Sequence, residues 1–265
     1  MSMNPVNDEA LVLRTDQDGV CTLTLNRPQA RNALSVALIT ELQAELDAIR
    51  EDRAVRVVVL AANGPAFCAG HDLKEMRANP ERAFYEKLFT QCGHLMTSII
   101  KMPQPVIARI HGIATAAGCQ LVATCDLAVA ADSVRFATPG VNIGLFCSTP
   151  MVALSRAVGR KHALEMLLTG EMISAQRAFQ MGLVNRVVAA ENLDTTVAEL
   201  VQGIASKSPL TLAIGKEAFY RQAELGLEEA YRYCSEVMTR NMLARDAEEG
   251  IDAFLAKRQP AWRGE

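Results

Sequence analysis

Short apolar runs alternate with helical patterns through the first 135 residues, and this alternation constrains the fold more than any other feature. The runs 20–25, 55–61, 105–110 and 127–131 consist mainly of aliphatic residues. Runs of this length and composition predict strands, and the continuous ones predict strands buried on both faces. Strands that alternate with helices favour parallel pairing through right-handed crossovers. The predicted fold class is therefore α/β.

The helices between these strands are predicted from apolar spacing and capping residues. Ser35 precedes apolar residues at helical spacing over 39–49, and Asp72 is a candidate N-cap with Glu75 three residues later. A longer apolar period over 84–99 predicts a long helix.

The balance shifts from strand to helix after residue 150. Ser174 is expected to begin a helix that Gly182 ends, and 184–188 is a last short strand. Ser208-Pro209 is typical of a helix start, with serine as N-cap and proline at the first helical position. Two helices are expected to fill the remainder to about Lys257. The sequence thus predicts an α/β core followed by a helical C-terminal third.

The composition excludes several classes of protein. The chain has 265 residues, of which half are hydrophobic and 22% are charged, so it is not a disordered chain. The net charge of −3 lacks the basic excess that is typical of nucleic-acid-binding proteins. No apolar run reaches the ~18 residues that a membrane span needs. We therefore expect neither a nucleic-acid partner nor a membrane-embedded segment.

The N-terminal residues and the cysteines favour a cytoplasmic protein. The first ten residues, MSMNPVNDEA, lack the basic and apolar regions of a signal peptide and the arginine-rich pattern of a transit peptide. The seven cysteines are odd in number and contain no C-x-x-C, so neither a disulfide framework nor a zinc cluster is predicted. The four histidines have no metal-ligand spacing, and no metal is expected.

Two strand–turn–helix junctions, at residues 57–76 and 105–130, are candidates for a ligand site. Each runs from a buried strand through glycine and alanine to the start of a helix, the second of which is expected from about Ala117 to Thr124. Small side chains allow a ligand close to the backbone, and free amides at a helix start favour negative charge. Two such junctions aimed at one point would form an oxyanion hole. Tight packing of helix on strand is the alternative explanation for the small residues.

Several motifs, in order along the chain, carry a resemblance to a known family. They are Asn26-Arg27-Pro28, Arg31-Asn32-Ala33-Leu34, FCAGHDLKEM at 67–76, HGIATAAGCQLVATCDLAVA at 111–130, FATPGVNIGL at 136–145 and TGEMISAQRAFQMGLVNRVV at 169–188. With these motifs the chain resembles the enoyl-CoA hydratase/isomerase (crotonase) superfamily from about residue 10 to its C-terminus. The runs at 112–126 and 136–150 nearly repeat those of one subgroup.

The resemblance implies a particular architecture and assembly. We expect a crotonase-like ββα spiral core over residues 1–200 and a C-terminal α-helical trimerisation region over 201–265. A homotrimer, or a hexamer made of two trimers, is implied. The implied ligand is an acyl thioester of coenzyme A, with no further cofactor.

The resemblance also assigns site residues. The backbone amides of His71 and Ala117 would bind the thioester oxygen as an enolate forms. The positions that match coenzyme A contacts in the family are Arg27, Ala69, Lys74, Phe254 and Lys257. In the family, residues at the last two of these positions often come from a neighbouring subunit.

Both glutamates that a family hydratase uses to activate water are replaced in this chain. Gln120 stands where the first is expected and Gly140 where the second is expected. A carboxamide has no useful protonation equilibrium near pH 7, and glycine has no side chain. We therefore expect weak or absent hydration of simple enoyl-CoA esters.

Other residues could supply an acid or base. Glu86, Asn142 and Cys147 are candidates for the acyl pocket, and His94 and Ser148 lie nearby in sequence. Ser98 and Ser148 lack a G-x-S-x-G elbow, so a serine-hydrolase triad is not indicated. One family branch has glycine at the Gly140 position and uses a bound bicarbonate as its base, although the residues beside Gly140 differ from that branch.

Three hypotheses remain open from the sequence. The first is an enzyme of the lyase or isomerase type that stabilises a thioester enolate, which by resemblance would serve fatty-acid metabolism. The second is a non-catalytic protein that binds or sequesters acyl-CoA. The third is a structural oligomer with a vestigial pocket, which a ligand-dependent rise in melting temperature would exclude.

Overall fold

The computed structural model describes residues 10–265, which fold into two sheets surrounded by helices. The strands are β1 (Val12–Gln17), β2 (Val20–Leu25), β3 (Val57–Ala62), β4 (Ala66–Cys68), β5 (Val106–Ile110), β6 (Ile113–Thr115), β7 (Leu127–Ala131), β8 (Arg135–Ala137), β9 (Ile173–Ser174) and β10 (Arg186–Val188). The helices are α1 (Val36–Glu51), α2 (Leu73–Ala78), α3 (Arg82–Lys101), α4 (Ala117–Thr124), α5 (Ser148–Ala157), α6 (Arg160–Thr169), α7 (Ala175–Met181), α8 (Leu193–Ala205), α9 (Pro209–Gln222), α10 (Leu227–Met242) and α11 (Arg245–Leu255). The predicted α/β class is confirmed.

The chain visits the two sheets in turn, which produces a ββα repeat. The larger sheet has the order β1-β2-β3-β5-β7-β10 and is parallel except for the β1–β2 hairpin. The smaller sheet has the order β4-β6-β8-β9, with β4, β6 and β8 parallel. Each of β3, β5 and β7 is followed directly by β4, β6 or β8 and then by a helix. The predicted spiral of ββα units is confirmed.

The predicted helix caps are present. Ser35 Oγ accepts from Leu38 N at 3.2 Å, and the apolar face of α1 is buried. Ser174 caps α7, which ends at Gly182 in the left-handed region with φ +89°. Ser208 Oγ caps α9 by accepting from Thr211 N at 3.1 Å. These helices begin where serine oxygens satisfy backbone amides that would otherwise lack a partner.

The expectation of two C-terminal helices is wrong, because α9, α10 and α11 occupy this region. The break between α9 and α10 contains Gly226, a residue that marks helix ends. The break between α10 and α11 is only Leu243-Ala244, which carries no glycine or proline. A pattern of apolar spacing therefore does not detect it. No helix in residues 10–265 is both long and apolar enough for a membrane span.

The predicted division of the chain between residues 200 and 201 falls inside α8, which packs on β3, β5 and β7 of the larger sheet.

The helices beyond α8 are joined to the core by a buried ion pair. Lys216 Nζ on α9 lies 2.7 Å from Asp126 Oδ2, and the Lys216 side chain is only 6% exposed. Lys216 Nζ also donates to Ile99 O and Gln104 O. The division into two units, and the trimerisation role of the second, stay predictions.

The last residues of the chain fold back onto α11 through one buried carboxylate. Asp246, which is 2% exposed, accepts hydrogen bonds from Ser208 Oγ at 2.6 Å, Arg263 N at 2.7 Å and Gly264 N at 3.0 Å. Burial alone would raise the pKa of Asp246, but these hydrogen bonds outweigh it and hold the pKa below its ordinary value.

Because the pKa of Asp246 is lowered in the folded protein, we expect the protein to lose stability in acid. A depressed folded-state pKa contributes stability above the unfolded value of about 3.9, and that stability is lost as pH falls through the folded pKa. Asp246→Asn is therefore expected to lower the melting temperature at pH 6, and the difference from the wild type should shrink below about pH 4. Thermal denaturation of both proteins from pH 7 to pH 3 measures this. A difference that stays constant over the range would contradict the assignment.

Candidate functional site

The structure brings the two strand–turn–helix junctions together. They follow β4 and β6, which are adjacent parallel strands of the smaller sheet. A Cβ atom at Gly70 would lie 2.9 Å from the Cβ of Ala116 and 3.2 Å from the carbonyl oxygen of Thr115. Gly70 also has φ +96°, a conformation that side-chain-bearing residues rarely adopt. Glycine at this position thus allows the two turns to touch.

The start of α4 is packed equally closely against β4. A Cβ atom at Gly118 would lie only 2.1 Å from Cys68 O. Ala116, the residue before α4, has the unusual values φ +50° and ψ −118°, and its amide donates to Ala137 O at 2.9 Å. Backbone strain of this kind persists only where the surroundings impose it. The first turn of α4 is therefore fixed by contacts from both β4 and β8.

The amides of His71 and Ala117 have no hydrogen-bond acceptor among residues 10–265. His71 forms a bridge with Leu34, in which Leu34 N donates to Gly70 O at 2.7 Å and Asp72 N donates to Leu34 O at 3.2 Å. The His71 amide takes no part in this bridge. Ala117 is the first residue of α4, where amides lack partners within the helix. Two unengaged donors thus lie on neighbouring turns, an arrangement that can bind one negatively charged oxygen.

The His71 side chain is held in an apolar setting. Its ring packs edge-on against Phe89 of α3, with ring centroids 5.4 Å apart, and its Nε2 atom is buried without a partner among the described residues. Burial lowers the pKa of His71 to about 4. The imidazole is therefore neutral at physiological pH.

Gln120 and Gly140 both lie in the buried interior. Gln120 is in the first turn of α4 and is 4% exposed. A Cβ atom at Gly140 would lie 2.8 Å from Leu145 O and 2.9 Å from Cys147 Sγ. The segment 145–147 therefore occupies the position of the missing side chain. A glutamate side chain at position 140 therefore does not fit without movement of this segment.

The positions that match coenzyme A contacts lie on or beside the first junction or at the C-terminus. Arg27 Nη1 donates to Asp72 Oδ2 at 2.6 Å and to Ala33 O at 3.2 Å, so it supports the carboxylate that caps α2. Ala69 O accepts from Thr115 Oγ1 at 3.1 Å. Lys74 is exposed on α2 and has no ion-pair partner within the described chain.

Phe254 and Lys257 lie at the end of α11, which packs on α9 and α10. Phe254 is 82% exposed, so its ring has almost no contact within its own chain. No hydrogen bond or ion pair among the described residues joins Phe254 or Lys257 to Lys74. Their part in a nucleotide site stays a prediction.

The acid–base candidates from the sequence are dispersed. Glu86 is exposed and pairs with Arg82 one turn earlier at 2.6 Å, and His94 Nδ1 lies 3.0 Å from Gln43 Oε1 on the surface. Asn142 Nδ2 donates to Gly170 O at 3.4 Å. Burial raises the pKa of Cys147, and the nearby Gly140 amide opposes this shift, so the thiol stays protonated near neutral pH. A part for any of these groups in acid–base chemistry stays a prediction.

Two residues at the site were not among the sequence candidates. Phe89 packs on His71, and the fully buried Thr138 carries a hydroxyl with no partner in residues 10–265. The only signal for Thr138 in the sequence is weak: it is a polar residue directly after the apolar pair Phe136-Ala137. A separate cavity of about 910 Å³ lies at the opposite end of α4, beside Asp126 and Tyr220.

Known proteins resemble this chain over nearly its whole length. The sequence profile of the enoyl-CoA hydratase/isomerase family matches residues 15–265. The enoyl-CoA hydratase domain-containing protein 3, mitochondrial, of Rattus norvegicus is 46% identical over 258 residues, which are 97% of this chain and 86% of that protein. This protein is a member of the subgroup whose sequence is nearly repeated at residues 112–126 and 136–150 of this chain. The predicted resemblance to the enoyl-CoA hydratase/isomerase family is therefore confirmed.

Solved structures agree with these sequence matches. An enoyl-CoA hydratase from Mycobacterium smegmatis is 58% identical with a TM-score of 0.94, covering 96% of this chain and 99% of that one. The human enoyl-CoA hydratase domain-containing protein 3 is 46% identical with a TM-score of 0.93. The match covers 95% of this chain and 100% of that one.

The relatives contradict the expected cytoplasmic location, because the names of the rat protein and its human counterpart place them in mitochondria. The prediction rested on reduced cysteines and on the first ten residues. All seven cysteines are free thiols, but free thiols do not separate one reducing compartment from another. With its matching motifs, ββα spiral and full-length relatives, the chain belongs to the enoyl-CoA hydratase/isomerase (crotonase) family.

Proposed function

We propose that this protein binds an acyl thioester of coenzyme A and polarises its carbonyl with the backbone amides of His71 and Ala117. The close approach of Gly70 to Ala116 supports this proposal, because the two amides follow on touching turns and have no acceptor within residues 10–265. Ala117 also begins α4, and the helix dipole adds to the attraction for a developing enolate oxygen. One donor of this kind is worth about 10²–10³ in rate when charge develops on the oxygen.

The nucleotide part of the ligand would lie along α2. Lys74 is an exposed cation on this helix, and Arg27 keeps the helix start in place through Asp72. Phe254 and Lys257 would contribute from a neighbouring subunit, which agrees with the exposure of Phe254 in the single chain. A homotrimer or a dimer of trimers is part of this proposal. No cofactor beyond the thioester ligand is proposed.

We infer further that hydration of simple enoyl-CoA esters is slow. Each positioned acid or base contributes about 10²–10⁴ in rate, and this chain has a carboxamide and a glycine at the two positions. The packing of Leu145 and Cys147 against Gly140 supports this inference, since that position has no room for a carboxylate. The site favours enolate stabilisation without the usual proton transfer.

The second candidate function is binding without turnover. It is favoured by the same two observations, Gln120 and the filled position beside Gly140. A non-catalytic acyl-CoA-binding protein would keep the amides of the oxyanion site and lose only the acid–base groups. Turnover separates the two candidates.

The rate of crotonyl-CoA hydration by the purified protein is the test. We expect the wild type to fall well below the usual 1–10³ per second. Gln120→Glu is expected to raise the rate, by up to about 10²-fold, because it restores one carboxylate beside the Ala117 amide. Gln120→Met is the control, since it keeps the length of the side chain without an ionisable group.

A wild-type rate in the ordinary enzyme range would refute the argument from the missing carboxylates. A melting temperature that butanoyl-CoA does not raise would refute binding itself. Gly140→Glu is unsuitable for the same test, because its side chain would collide with Leu145 and Cys147.

A further inference from the structure

Asp72 carries a largely buried negative charge one residue after the proposed donor amide of His71. Its side chain is only 11% exposed. Burial alone would raise the pKa of Asp72, but hydrogen bonds from Arg27 and from backbone amides outweigh it and lower the pKa. The carboxyl group is therefore ionised at neutral pH. A negative charge in this place opposes a second negative charge that develops on a thioester oxygen.

Arg27 supplies the opposite charge. Arg27 Nη1 donates to Asp72 Oδ2 at 2.6 Å, and the Arg27 side chain is 24% exposed. Within residues 10–265, neither side chain has a second ion-pair partner. Solvent and salt screen such sheltered charges less than they screen exposed ones, so removal of one partner leaves the other acting on its surroundings.

The same pair holds the turn that carries the His71 amide. Asp72 N donates to Leu34 O at 3.2 Å. Arg27 Nη1 donates to Ala33 O at 3.2 Å, on the residue before Leu34. The pair therefore ties the turn at His71 to the segment 33–34 and limits how far the amide can move.

The backbone of Arg27 is itself fixed by a fully buried side chain. Asn32 Oδ1 accepts from Arg27 N at 2.8 Å, and Asn32 Nδ2 donates to Asn63 O and to Ala66 O, both at 2.8 Å. Asn63 follows β3 and Ala66 begins β4, the strand that leads into the first junction. The side chain of Arg27 thus extends to Asp72 from a fixed point, which reduces the entropy cost of the ion pair.

We propose that Asp72 is a positioning residue for the His71 amide, and that Arg27 cancels its charge so that this amide can stabilise a negatively charged oxygen. The inference rests on the proposed function, in which the thioester oxygen lies on the amides of His71 and Ala117. Stabilisation of such an oxygen depends on the fixed charges around it as well as on the donors that touch it. A pair with a purely structural role would hold the turn without affecting this charge balance.

The enolate content of bound 3-oxobutanoyl-CoA tests the proposal. This thioester releases an α-proton reversibly to solvent, and its enolate is measured by ultraviolet absorbance while the full-length protein is saturated with ligand. Because both forms are bound, the ratio of enolate to keto form reports stabilisation of charge rather than affinity. We expect the wild type to raise this ratio above that of the free ligand at the same pH. If the ligand does not bind, or if the ratio does not rise, the proposed function fails and this inference with it.

Two single variants are expected to change the ratio in opposite directions. Asp72→Asn keeps an oxygen that can cap α2 but leaves the charge of Arg27 uncancelled, so the ratio is expected to rise about tenfold. Arg27→Met leaves the charge of Asp72 uncancelled, so the ratio is expected to fall about tenfold. Both variants break the same ion pair, and a purely structural role therefore predicts a fall in both. With the wild type behaving as expected, any outcome other than a rise in the first and a fall in the second overturns only the present inference.

Arg27→Lys is the conservative variant, because a single nitrogen, Nη1, makes both contacts of the Arg27 side chain and an ammonium can replace it. We expect its ratio to stay within about threefold of the wild type, and a fall as large as that of Arg27→Met would contradict the role of charge. Glu224→Gln is the matched control. It breaks the exposed pair with Arg156 at 3.0 Å beside the cavity at the opposite end of α4, and it should leave the ratio unchanged.

The melting temperature of each variant without ligand shows whether it is folded. If Arg27→Met does not fold, Asp72→Asn decides alone. A larger enolate fraction in Asp72→Asn then supports the inference, and a smaller or equal fraction overturns it.

Discussion

Gly118→Ala is expected to destabilise the protein by about 3 kcal/mol or more and to abolish most thioester binding. The added Cβ would lie 2.1 Å from Cys68 O and 2.7 Å from the carbonyl carbon of the same residue. Both atoms belong to the backbone of β4, so no side-chain rotation relieves the overlap. The first turn of α4 must move away from β4, and the Ala117 amide moves with it. Misplacement of a catalytic group by about 1 Å can lower the reaction rate on the order of 10²-fold.

Urea denaturation and titration with butanoyl-CoA measure the two effects of Gly118→Ala. Gly93→Ala is the matched control, because Gly93 lies within α3 and an added Cβ there meets no atom within 4 Å. Alanine is the better helix former, so this control is expected to be neutral or to stabilise by about 0.4–1 kcal/mol. Wild-type affinity in Gly118→Ala would show that the α4–β4 contact does not position the ligand.

Lys216→Met is expected to lower the free energy of unfolding by about 3–5 kcal/mol. The variant removes the cation from the buried pair and leaves the Asp126 carboxylate, which is 15% exposed, with only neutral donors. Those donors are Val106 N at 2.7 Å and Tyr220 Oη at 2.8 Å. Lys216 Nζ also donates to Ile99 O at the end of α3 and to Gln104 O in the loop that follows, so α9 loses three of its polar contacts to the core.

Lys161→Met provides the comparison for Lys216→Met, since Lys161 is an exposed lysine on α6. Substitutions at exposed positions of this kind usually change stability by less than about 0.5 kcal/mol. Chemical denaturation of both variants gives the two free energies. Equal values for the two would show that the buried pair contributes no more than a surface charge.

Sequence periodicity predicted the long elements well, because each buries a repeated apolar face. Apolar patterns of this kind predicted the strands β2, β5 and β7 and the helix α3. The three-residue strands β4, β6 and β8 escaped prediction, whereas β10, which is equally short, lies within the predicted strand 184–188. Three residues contain too little alternation to distinguish a strand from a turn. Two of these unpredicted strands, β4 and β6, lead into the candidate site.

The residues of the candidate site were predicted from local motifs, but the contacts between them were not. The glycines and alanines of the two junctions were visible, and family resemblance assigned the amides of His71 and Ala117. The sequence did not show that Gly70 touches Ala116, because the two lie 46 positions apart. It likewise did not show that Cys147 fills the space beside Gly140. Both facts depend on distances between segments that only packing brings together.

The sequence by itself determined the α/β class, the helix caps and the family. These properties are local or follow from residue identity at a matched motif, so no contact between distant segments is needed to recognise them. The tertiary structure alone decided that the two turns meet and that a side chain at position 140 would collide with Leu145 and Cys147. It also decided that Gln120 Oε1 and Thr138 Oγ1 have no hydrogen-bond partner within residues 10–265. Close packing produces these features, since small differences in how segments fit determine which polar atoms are left for a ligand.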